Sequence, residues 1–208
     1  MVRSENLTFK YSPSLELQFP DFTIEKNQHT LLLGDSGTGK TTLLHLLGGL
    51  SKPSNGKVYI GEQDIYQLTE SQLDRFRAEN IGFIFQEAHL LKNLTTKENI
   101  ELAQHLAKKA VDREAILRIL DKLQIADKAD SYPSQLSRGQ LQRAAIARAV
   151  VNNPKLLIAD EPTAALDDTN TRHVLDLLLE TATSYGATLL IATHDKRIKD
   201  NFSNTYQL

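Results

Sequence analysis

Residues 31–41 read Leu31-Leu32-Leu33-Gly34-Asp35-Ser36-Gly37-Thr38-Gly39-Lys40-Thr41, an apolar run that leads into a glycine-rich loop. The loop fits the pattern G-x-x-x-x-G-K-[ST], and we call Gly34–Thr41 the phosphate loop. Glycines let the backbone curl so that several N–H groups face phosphate oxygens, and a helix starting near Lys40 adds the positive end of its dipole. The pattern therefore predicts a nucleotide site in which Lys40 reaches the β- and γ-phosphates and Thr41 offers its hydroxyl to Mg²⁺.

Apolar strands and helical patterns alternate on both sides of the phosphate loop. Short apolar segments predict strands at 15–17, 22–24, 29–33, 56–61, 81–85, 156–159 and 188–192. Helices are predicted at 40–47, 137–151 and 171–185, with further helical patterns between 87 and 129, one of them after a possible cap at Asp112. Strands that alternate with helices favour a mostly parallel α/β sheet with helices on both faces.

A second candidate site lies where residues 156–159 end in two carboxylates, Asp160 and Glu161. A buried parallel strand reads as an apolar run, and functional groups collect at the carboxyl edge of such a sheet. The alternative is a strand that ends in two solvent-exposed carboxylates without a function. The presence of the phosphate loop makes this the weaker interpretation. Spacing alone does not decide which carboxylate binds Mg²⁺ and which acts as a base.

Composition excludes several other kinds of site. The 208-residue chain suits one domain, and its formal net charge of −2 implies no general attraction to nucleic acid. It contains no cysteine, so disulfides, thiolate metal sites and cysteine nucleophiles are excluded. Its apolar runs fall short of the roughly 20 residues that span a bilayer, so any membrane role requires a partner.

The segment Leu136-Ser137-Arg138-Gly139-Gln140, with Gln142-Arg143 and Ala147-Arg148-Ala149 behind it, narrows the family. It resembles the L-S-G-G-Q signature of the ABC ATPases. The phosphate loop, Gln86, this signature, the acidic strand end, Ala165-Leu166-Asp167 and His194 also follow one another in the family's order, over essentially the whole chain.

The resemblance implies a fold and a domain organisation. The expected class is α/β, a P-loop NTPase core with a mostly parallel sheet, an N-terminal antiparallel β subdomain and an inserted α-helical subdomain. Residues 1–208 would form a single ABC ATPase domain. Its nucleotide-binding core would take about 1–86 and 136–208, and its helical subdomain about 87–135.

The resemblance also assigns roles to individual residues. Asp160 would hold Mg²⁺ with Thr41 and Gln86, while Glu161 would be the catalytic base and His194 a catalytic sensor of the γ-phosphate. Nucleotide contacts are expected from Tyr11, Gly34, Asp35, Ser36, Gly37, Thr38, Gly39, Lys40, Thr41, Thr42, Gln86, Ser137, Gly139 and Gln140. Tyr11 would stack on adenine, and a core aromatic is the alternative. The other histidines, which are expected to be structural or solvent-facing, are His29, His45, His89, His105 and His173.

The helix start near Ser137 implies a dimer. Ser137 and the Gly139 amide would form another phosphate-binding helix end, which in the family binds the ATP of a partner subunit. Two copies of this chain are therefore expected to clamp two Mg²⁺-bound ATP molecules head to tail. Arg138 stands where the family usually has glycine, and because it lacks glycine's backbone freedom its effect on affinity and turnover is left open.

The function implied is the ATP-binding and ATP-hydrolysing motor subunit of an ABC membrane transport complex. Such a subunit is cytoplasmic and peripheral, held on the inner face of the cell membrane by a transmembrane permease partner. Residues 80–102 look most like the branch of lipoprotein-releasing, macrolide-exporting and cell-division ATPases. The alternatives are a soluble or mechanotransmitting ABC ATPase, and a binding module without catalysis, which Glu161, Gln86 and His194 disfavour.

Overall fold

The computed structural model describes residues 1–164 and 166–208, so Ala165 of the motif Ala165-Leu166-Asp167 lies outside the described residues. The strands are β1 (Val2–Ser12), β2 (Leu15–Gln18), β3 (Phe22–Ile24), β4 (Thr30–Leu33), β5 (Asn55–Ile60), β6 (Gln63–Asp64), β7 (Ile81–Ile84), β8 (Leu156–Asp160), β9 (Thr188–Thr193) and β10 (Asn204–Gln207). The α-helices are α1 (Lys40–Leu47), α2 (Glu70–Asn80), α3 (Thr96–Leu106), α4 (Arg113–Lys122), α5 (Arg138–Val150) and α6 (Asp168–Ser184).

The central sheet has the strand order β10-β4-β9-β8-β7, and each neighbouring pair is parallel. Strands β4, β8 and β9 are buried along their whole length. Successive residues of β8 point to opposite faces, so Leu157 joins the core shared with α3 to α6 while Ile158 joins the core around α1. Burial on both faces explains why these strands read as unbroken apolar runs.

The N-terminal part forms a second sheet built on β1, which pairs antiparallel with β2, β3 and β5, while β5 pairs with β6. Val2, Leu7 and Ile60 from this sheet are buried against the leucines of α1. Helix α1 therefore lies between the two sheets, and the phosphate loop lies at its start. With one antiparallel and one parallel sheet, the predicted α/β class is confirmed.

Capping residues that the sequence shows determine where several helices begin or end. The predicted helix 40–47 is confirmed, with Gly48 at its C-cap, and Asp112 caps α4 by accepting a hydrogen bond from the backbone N–H of Ala115. Ser137 and Gln140 form a capping box at the start of α5, where each side chain accepts from the other's backbone N–H.

Other ends were predicted wrongly by one to three residues. Helix α6 begins at Asp168 and not at 171, because Asp167 supplies its cap by accepting from the backbone N–H of Asn170. Strand β7 ends at Ile84 and not at 85. Strand β4 begins at Thr30, one residue after the predicted start.

Of the helices in the described part of the chain, none is long and apolar enough to pass through a membrane.

Candidate nucleotide site

Four neighbouring strands of the central sheet end at one edge and bring the candidate groups there. Strand β4 leads into the phosphate loop, β9 leads into His194, β8 ends in Asp160, and β7 ends two residues before Gln86. Because the strands are parallel, their carboxyl ends share this edge, which is where open α/β sheets bind ligands.

The phosphate loop has the backbone shape that its glycines permit. Gly37 and Gly39 have φ angles of 86° and 96°, in the positive-φ region that residues with side chains rarely adopt. Gly39 is the N-cap of α1, and among the described residues no side chain caps the first N–H groups of the helix. Those N–H groups, with the helix dipole behind them, form a site for an anion such as phosphate.

Lys40 is almost buried, with 7% of its surface exposed. Its Nζ donates to the carbonyl oxygens of Gly34 at 2.8 Å and Asp35 at 3.0 Å. Glu161 Oε1 lies 3.7 Å from the same Nζ. The ammonium group is therefore held directly over the loop, beside the carboxylate that follows β8.

Thr41 and Asp160 form the candidate Mg²⁺ position. The Thr41 hydroxyl donates to Asp160 Oδ2 at 2.9 Å, whereas Asp160 Oδ1 is buried and has no hydrogen-bond partner among the described residues. Burial raises the pKa of Asp160 above its usual value, and the Thr41 hydrogen bond opposes this. A buried carboxylate oxygen left unpaired, beside a hydroxyl, suits a hard cation that brings its own charge.

These donors fit Mg²⁺ in the way it is bound beside phosphates. The described residues contain no cluster of three or more His, Cys, Asp or Glu side chains that could hold a metal by themselves. Magnesium commonly takes only one or two protein ligands and completes its shell with water and phosphate oxygens. The pair of Thr41 and Asp160 therefore matches a nucleotide-bound cation and not a permanent all-protein site.

Glu161 is held in a strained conformation by three contacts. Its φ angle is 47°, which is uncommon for a residue with a side chain, and its backbone N–H donates to Ala192 O at 2.8 Å. Thr193 Oγ1 donates to Glu161 Oε2 at 2.8 Å, and His194 Nδ1 lies 2.9 Å from Oε1. Because a carboxylate only accepts, Nδ1 of His194 carries the proton in this contact. Thr193 was not among the site residues predicted from the sequence.

Tyr11 and Gln86 are both exposed. Tyr11 has 58% of its surface exposed, so the alternative of a core aromatic is wrong. Its hydroxyl hydrogen-bonds the Thr42 hydroxyl in α1, and its ring meets Phe9 edge-on with centroids 4.9 Å apart. This places the ring beside the helix that starts at the phosphate loop. Gln86 lines the same cavity as Glu161.

The signature residues lie at the start of α5. The recorded side-chain contacts of Ser137 and Gln140 are those of their capping box, and within residues 1–164 and 166–208 no hydrogen bond joins them to the phosphate loop. Gly139 is exposed, and a Cβ added to it would meet no atom of residues 1–164 or 166–208 within 4 Å. Arg138 Nη2 donates to Ala164 O at 3.3 Å, so this arginine turns toward the loop after Glu161.

A cavity of about 720 Å³ separates the residues after β7 from the start of α5. Its lining includes Gln86, Arg138, Gln142 and Glu161. Gln142 Nε2 donates to Pro162 O at 2.9 Å, so α5 is tied to the loop after Glu161 at a second point. We call the phosphate loop, Asp160, Glu161 and His194 the strand-end site and α5 the signature helix. The cavity therefore connects the strand-end site, at Glu161, to the signature helix.

Comparisons with known proteins agree with this arrangement. The chain matches the family profile described as "ABC transporter" over residues 17–164. It is 42% identical over 176 residues to the "Lipoprotein-releasing system ATP-binding protein LolD" of Buchnera aphidicola, which covers 84% of this chain and 77% of that protein. It is 38% identical over 200 residues to the "Macrolide export ATP-binding/permease protein MacB" of Campylobacter jejuni, covering 95% of this chain and 31% of that longer protein.

A solved structure has the same fold over the whole chain. The dimeric post-hydrolysis state of the ATP-binding cassette MJ0796, bound to ADP and Pi, matches with a TM-score of 0.88 at 33% identity, covering 100% of this chain and 94% of that one. The matched profile range includes the phosphate loop, Gln86 and the signature. LolD and MacB also fall in the branch predicted from residues 80–102. This chain therefore belongs to the ABC transporter family.

Proposed function

We propose that this chain is the ATP-hydrolysing motor subunit of a membrane transport complex and that the strand-end site carries out the hydrolysis. The observation that carries the proposal is the contact group Lys40, Glu161 and His194, in which one carboxylate oxygen lies 3.7 Å from Nζ and 2.9 Å from Nδ1. This group stands at the mouth of an anion-binding loop. Phosphoryl transfer to water requires a positive charge near the phosphates and a base for the water. Lys40 would supply the charge, Glu161 the base, and His194 the sensor of the γ-phosphate.

The phosphate loop binds the triphosphate through its N–H groups, and Lys40 exchanges the carbonyls of Gly34 and Asp35 for β- and γ-phosphate oxygens. Tyr11 offers its exposed ring to the adenine, and the backbone and side chains of Asp35, Ser36, Thr38 and Thr42 complete the cradle. The remaining glycines permit the close approach of the backbone. Binding is then mostly positioning plus charge neutralisation, which supplies most of the catalysis in this reaction class.

Thr41 and Asp160 are proposed to hold Mg²⁺, with the carbonyl of Gln86 as a further ligand. When bound there, Mg²⁺ would supply positive charge that offsets the charge of the phosphates. The unpaired Oδ1 of Asp160 supports this assignment because the cation would supply the missing partner. Gln86 is exposed two residues after the end of β7, at the same edge of the sheet.

Glu161 is proposed to act as the base. Its carboxylate accepts a proton from water, the water oxygen forms a bond to the γ-phosphorus, and the bond from that phosphorus to the β–γ bridging oxygen breaks. ADP and inorganic phosphate leave. His194 is hydrogen-bonded to Glu161 and 60% of its side chain is exposed, which supports its proposed role as a sensor that contacts both the base and the γ-phosphate.

A second copy of this chain and a transmembrane partner complete the proposed machine. Ser137, Gly139 and Gln140 would bind the nucleotide of the second copy, since Gly139 leaves open space at a helix start. A membrane-spanning permease would hold the dimer on the cytoplasmic face of the cell membrane, as the relatives described as transport subunits suggest. Copurification of the untagged permease would test this partner.

Replacing Glu161 by Gln tests the catalytic proposal. The variant keeps the shape of the side chain but loses the base, so we expect hydrolysis to slow by about 10²- to 10⁴-fold while ATP still binds. Hydrolysis is measured by phosphate release and binding by calorimetry. Glu180→Gln, at an exposed position of α6, is the matched control and should hydrolyse ATP normally. Wild-type turnover in Glu161→Gln would refute the assignment of the base.

A further inference from the structure

We propose that Arg148 is a positioning residue that fixes residues 86–89, the Gln86 loop, against α5 and so sets the place of Gln86 beside the Mg²⁺ position. The inference rests on the proposed function, because it gives Gln86 its task. Arg148 is not itself among the residues proposed to contact ATP or Mg²⁺, and it would act through Gln86.

The contact between Arg148 and the Gln86 loop is bidentate. Nη1 of Arg148 donates to His89 O at 2.7 Å, and Nη2 donates to Ala88 O at 2.9 Å. One planar guanidinium thus engages two consecutive carbonyls of the main chain. A fork of this kind fixes orientation as well as distance, which a lysine ammonium does not reproduce.

The environment of Arg148 indicates that this contact is its main compensation for burial. Arg148 is half-buried in the last turn of α5, and burial lowers its pKa from the usual value. Within residues 1–164 and 166–208, the structure records no carboxylate paired with it. A charged group removed from water needs strong hydrogen bonds, and the two carbonyls of the Gln86 loop provide them.

The Gln86 loop is also held from its other side. His89 has a φ angle of 44°, an uncommon conformation for a side-chain-bearing residue. Its ring meets Phe85 edge-on with centroids 5.2 Å apart, and Phe85 stacks on Phe83 of β7 at 4.3 Å. A strained backbone persists only where neighbours determine it. Arg148 and the aromatic pair together supply that constraint.

Arg148 connects this loop to the helix that begins at the signature. The same helix holds the loop after Glu161, through Gln142 Nε2 and Pro162 O at 2.9 Å. Because both loops are attached to α5, a shift of that helix carries the Gln86 loop with it. Arg148 thereby links the helix start that would meet a second copy to the side chain that would meet the metal.

The test compares Arg148→Lys and Arg148→Gln with Arg143→Gln. Arg143 lies in the same helix, and its Nη1 donates to another backbone carbonyl, that of Leu123, at 2.7 Å. This control therefore removes one arginine-to-carbonyl contact of α5 without touching the Gln86 loop. Calorimetry measures ATP affinity with Mg²⁺ and in EDTA, and phosphate release measures the Mg²⁺ concentration at half-maximal turnover. Thermal unfolding reports the stability of each variant.

We expect both Arg148 variants to need about 10- to 100-fold more Mg²⁺ for half-maximal turnover, the usual cost of losing a residue that orients a ligand. Their gain in ATP affinity on adding Mg²⁺ should shrink, whereas their affinity in EDTA should match wild type. Arg143→Gln should retain the Mg²⁺ dependence of wild type, even where its stability falls equally.

The inference is wrong if the Arg148 variants lose stability but keep the wild-type Mg²⁺ dependence, since Arg148 would then be only structural. Arg148→Lys keeps the positive charge at the C-terminal end of α5, and it provides a folded variant where Arg148→Gln fails to fold. A wild-type protein that releases no phosphate from ATP at any Mg²⁺ concentration would instead overturn the proposed function. The two failures are therefore distinguishable.

Discussion

Lys40 illustrates how single contacts in this site prepare for the substrate. Its ammonium group donates hydrogen bonds to two carbonyl oxygens of the phosphate loop, while a carboxylate lies 3.7 Å away. A triphosphate offers stronger, charged acceptors at the same place. The exchange of partners costs little because the side chain is already ordered and almost buried.

Lys40→Ala should weaken ATP binding by about tenfold to hundredfold, because a hydrogen bond to a charged group contributes about 1.5–3 kcal/mol. Calorimetric titration with ATP measures the change. Lys52→Ala removes an exposed lysine outside the site and should bind ATP as wild type does. An unchanged affinity in Lys40→Ala would remove the proposed role of the phosphate loop.

The sequence indicated the residues of the site better than their contacts. The apolar runs that end at Gly34 and at Asp160-Glu161 were enough to predict that the phosphate loop and the two carboxylates lie at one edge of the sheet. The bonds from Thr193 and His194 to Glu161, and from Arg148 to the Gln86 loop, join segments far apart in the chain. No local pattern encodes such contacts, so they required the structure. The small clue for Thr193 was its place at a strand end directly before His194.

At the level of elements, β7 and α5 approach each other so closely that only glycine fits between them. A Cβ added to Gly82 of β7 would lie 2.3 Å from the carbonyl oxygen of Ala149 and 2.9 Å from Leu157 Cδ1. The backbone of α5 lies on one side and a buried leucine on the other, so neither neighbour can move freely. This close approach sets the distance between the Gln86 loop and α5.

Gly82→Ala should therefore lower the free energy of unfolding by about 1–3 kcal/mol, the usual cost of overpacking a core. Urea denaturation measures the change. Gly139→Ala is the control, because its added Cβ meets nothing within 4 Å and alanine favours a helix. Equal stability of Gly82→Ala and wild type would contradict the close packing of β7 on α5.

The start of α6 is joined to the segment after β9 by one arginine. Arg197 donates to Asp195 from Nε at 2.9 Å and from Nη2 at 2.7 Å, and it also pairs with Asp168 in the first turn of α6. The hydrogen bond from Arg197 holds the pKa of Asp195 below its usual value. A carboxylate with a depressed pKa stabilises the folded state most at a pH above its unfolded pKa.

Arg197→Gln should therefore lower stability at neutral pH, and the difference from wild type should shrink as the pH falls through the depressed pKa of Asp195. Thermal unfolding across the acidic range measures it. The effect should be modest because 46% of the Arg197 side chain is exposed. Arg75→Gln, which removes an exposed i,i+4 pair with Glu79, is the control. A difference that grows on acidification would contradict this linkage.

Elements with apolar runs were predicted from sequence, and elements without them were not. Helix α2 has no buried residue among those described, so its amphipathic signal is weak, and its start depends on a capping box between Thr69 and Gln72. Strand β10 is polar and only partly buried, and it forms because β4 offers it a parallel edge. Both elements are therefore decided by partners and caps and not by hydrophobic periodicity.

At the level of the whole molecule, the site on one chain lacks the partner that the signature helix implies. The start of α5 forms no hydrogen bond with the phosphate loop within the described residues, yet a Cβ added to Gly139 there would meet no described atom within 4 Å. The related cassette MJ0796 forms a dimer in its solved structure. Closure of two copies on two ATP molecules would bring each signature helix to a nucleotide.

The mass of Glu161→Gln in Mg²⁺-ATP, measured by light scattering, tests this account most directly. Slow hydrolysis should trap a dimer, and adding Gly139→Asp should return it to a monomer that still binds ATP, because the added carboxylate repels phosphate and fits the open space at Gly139. A monomer of Glu161→Gln at saturating ATP, or a dimer that forms equally well with Gly139→Asp, would contradict the account.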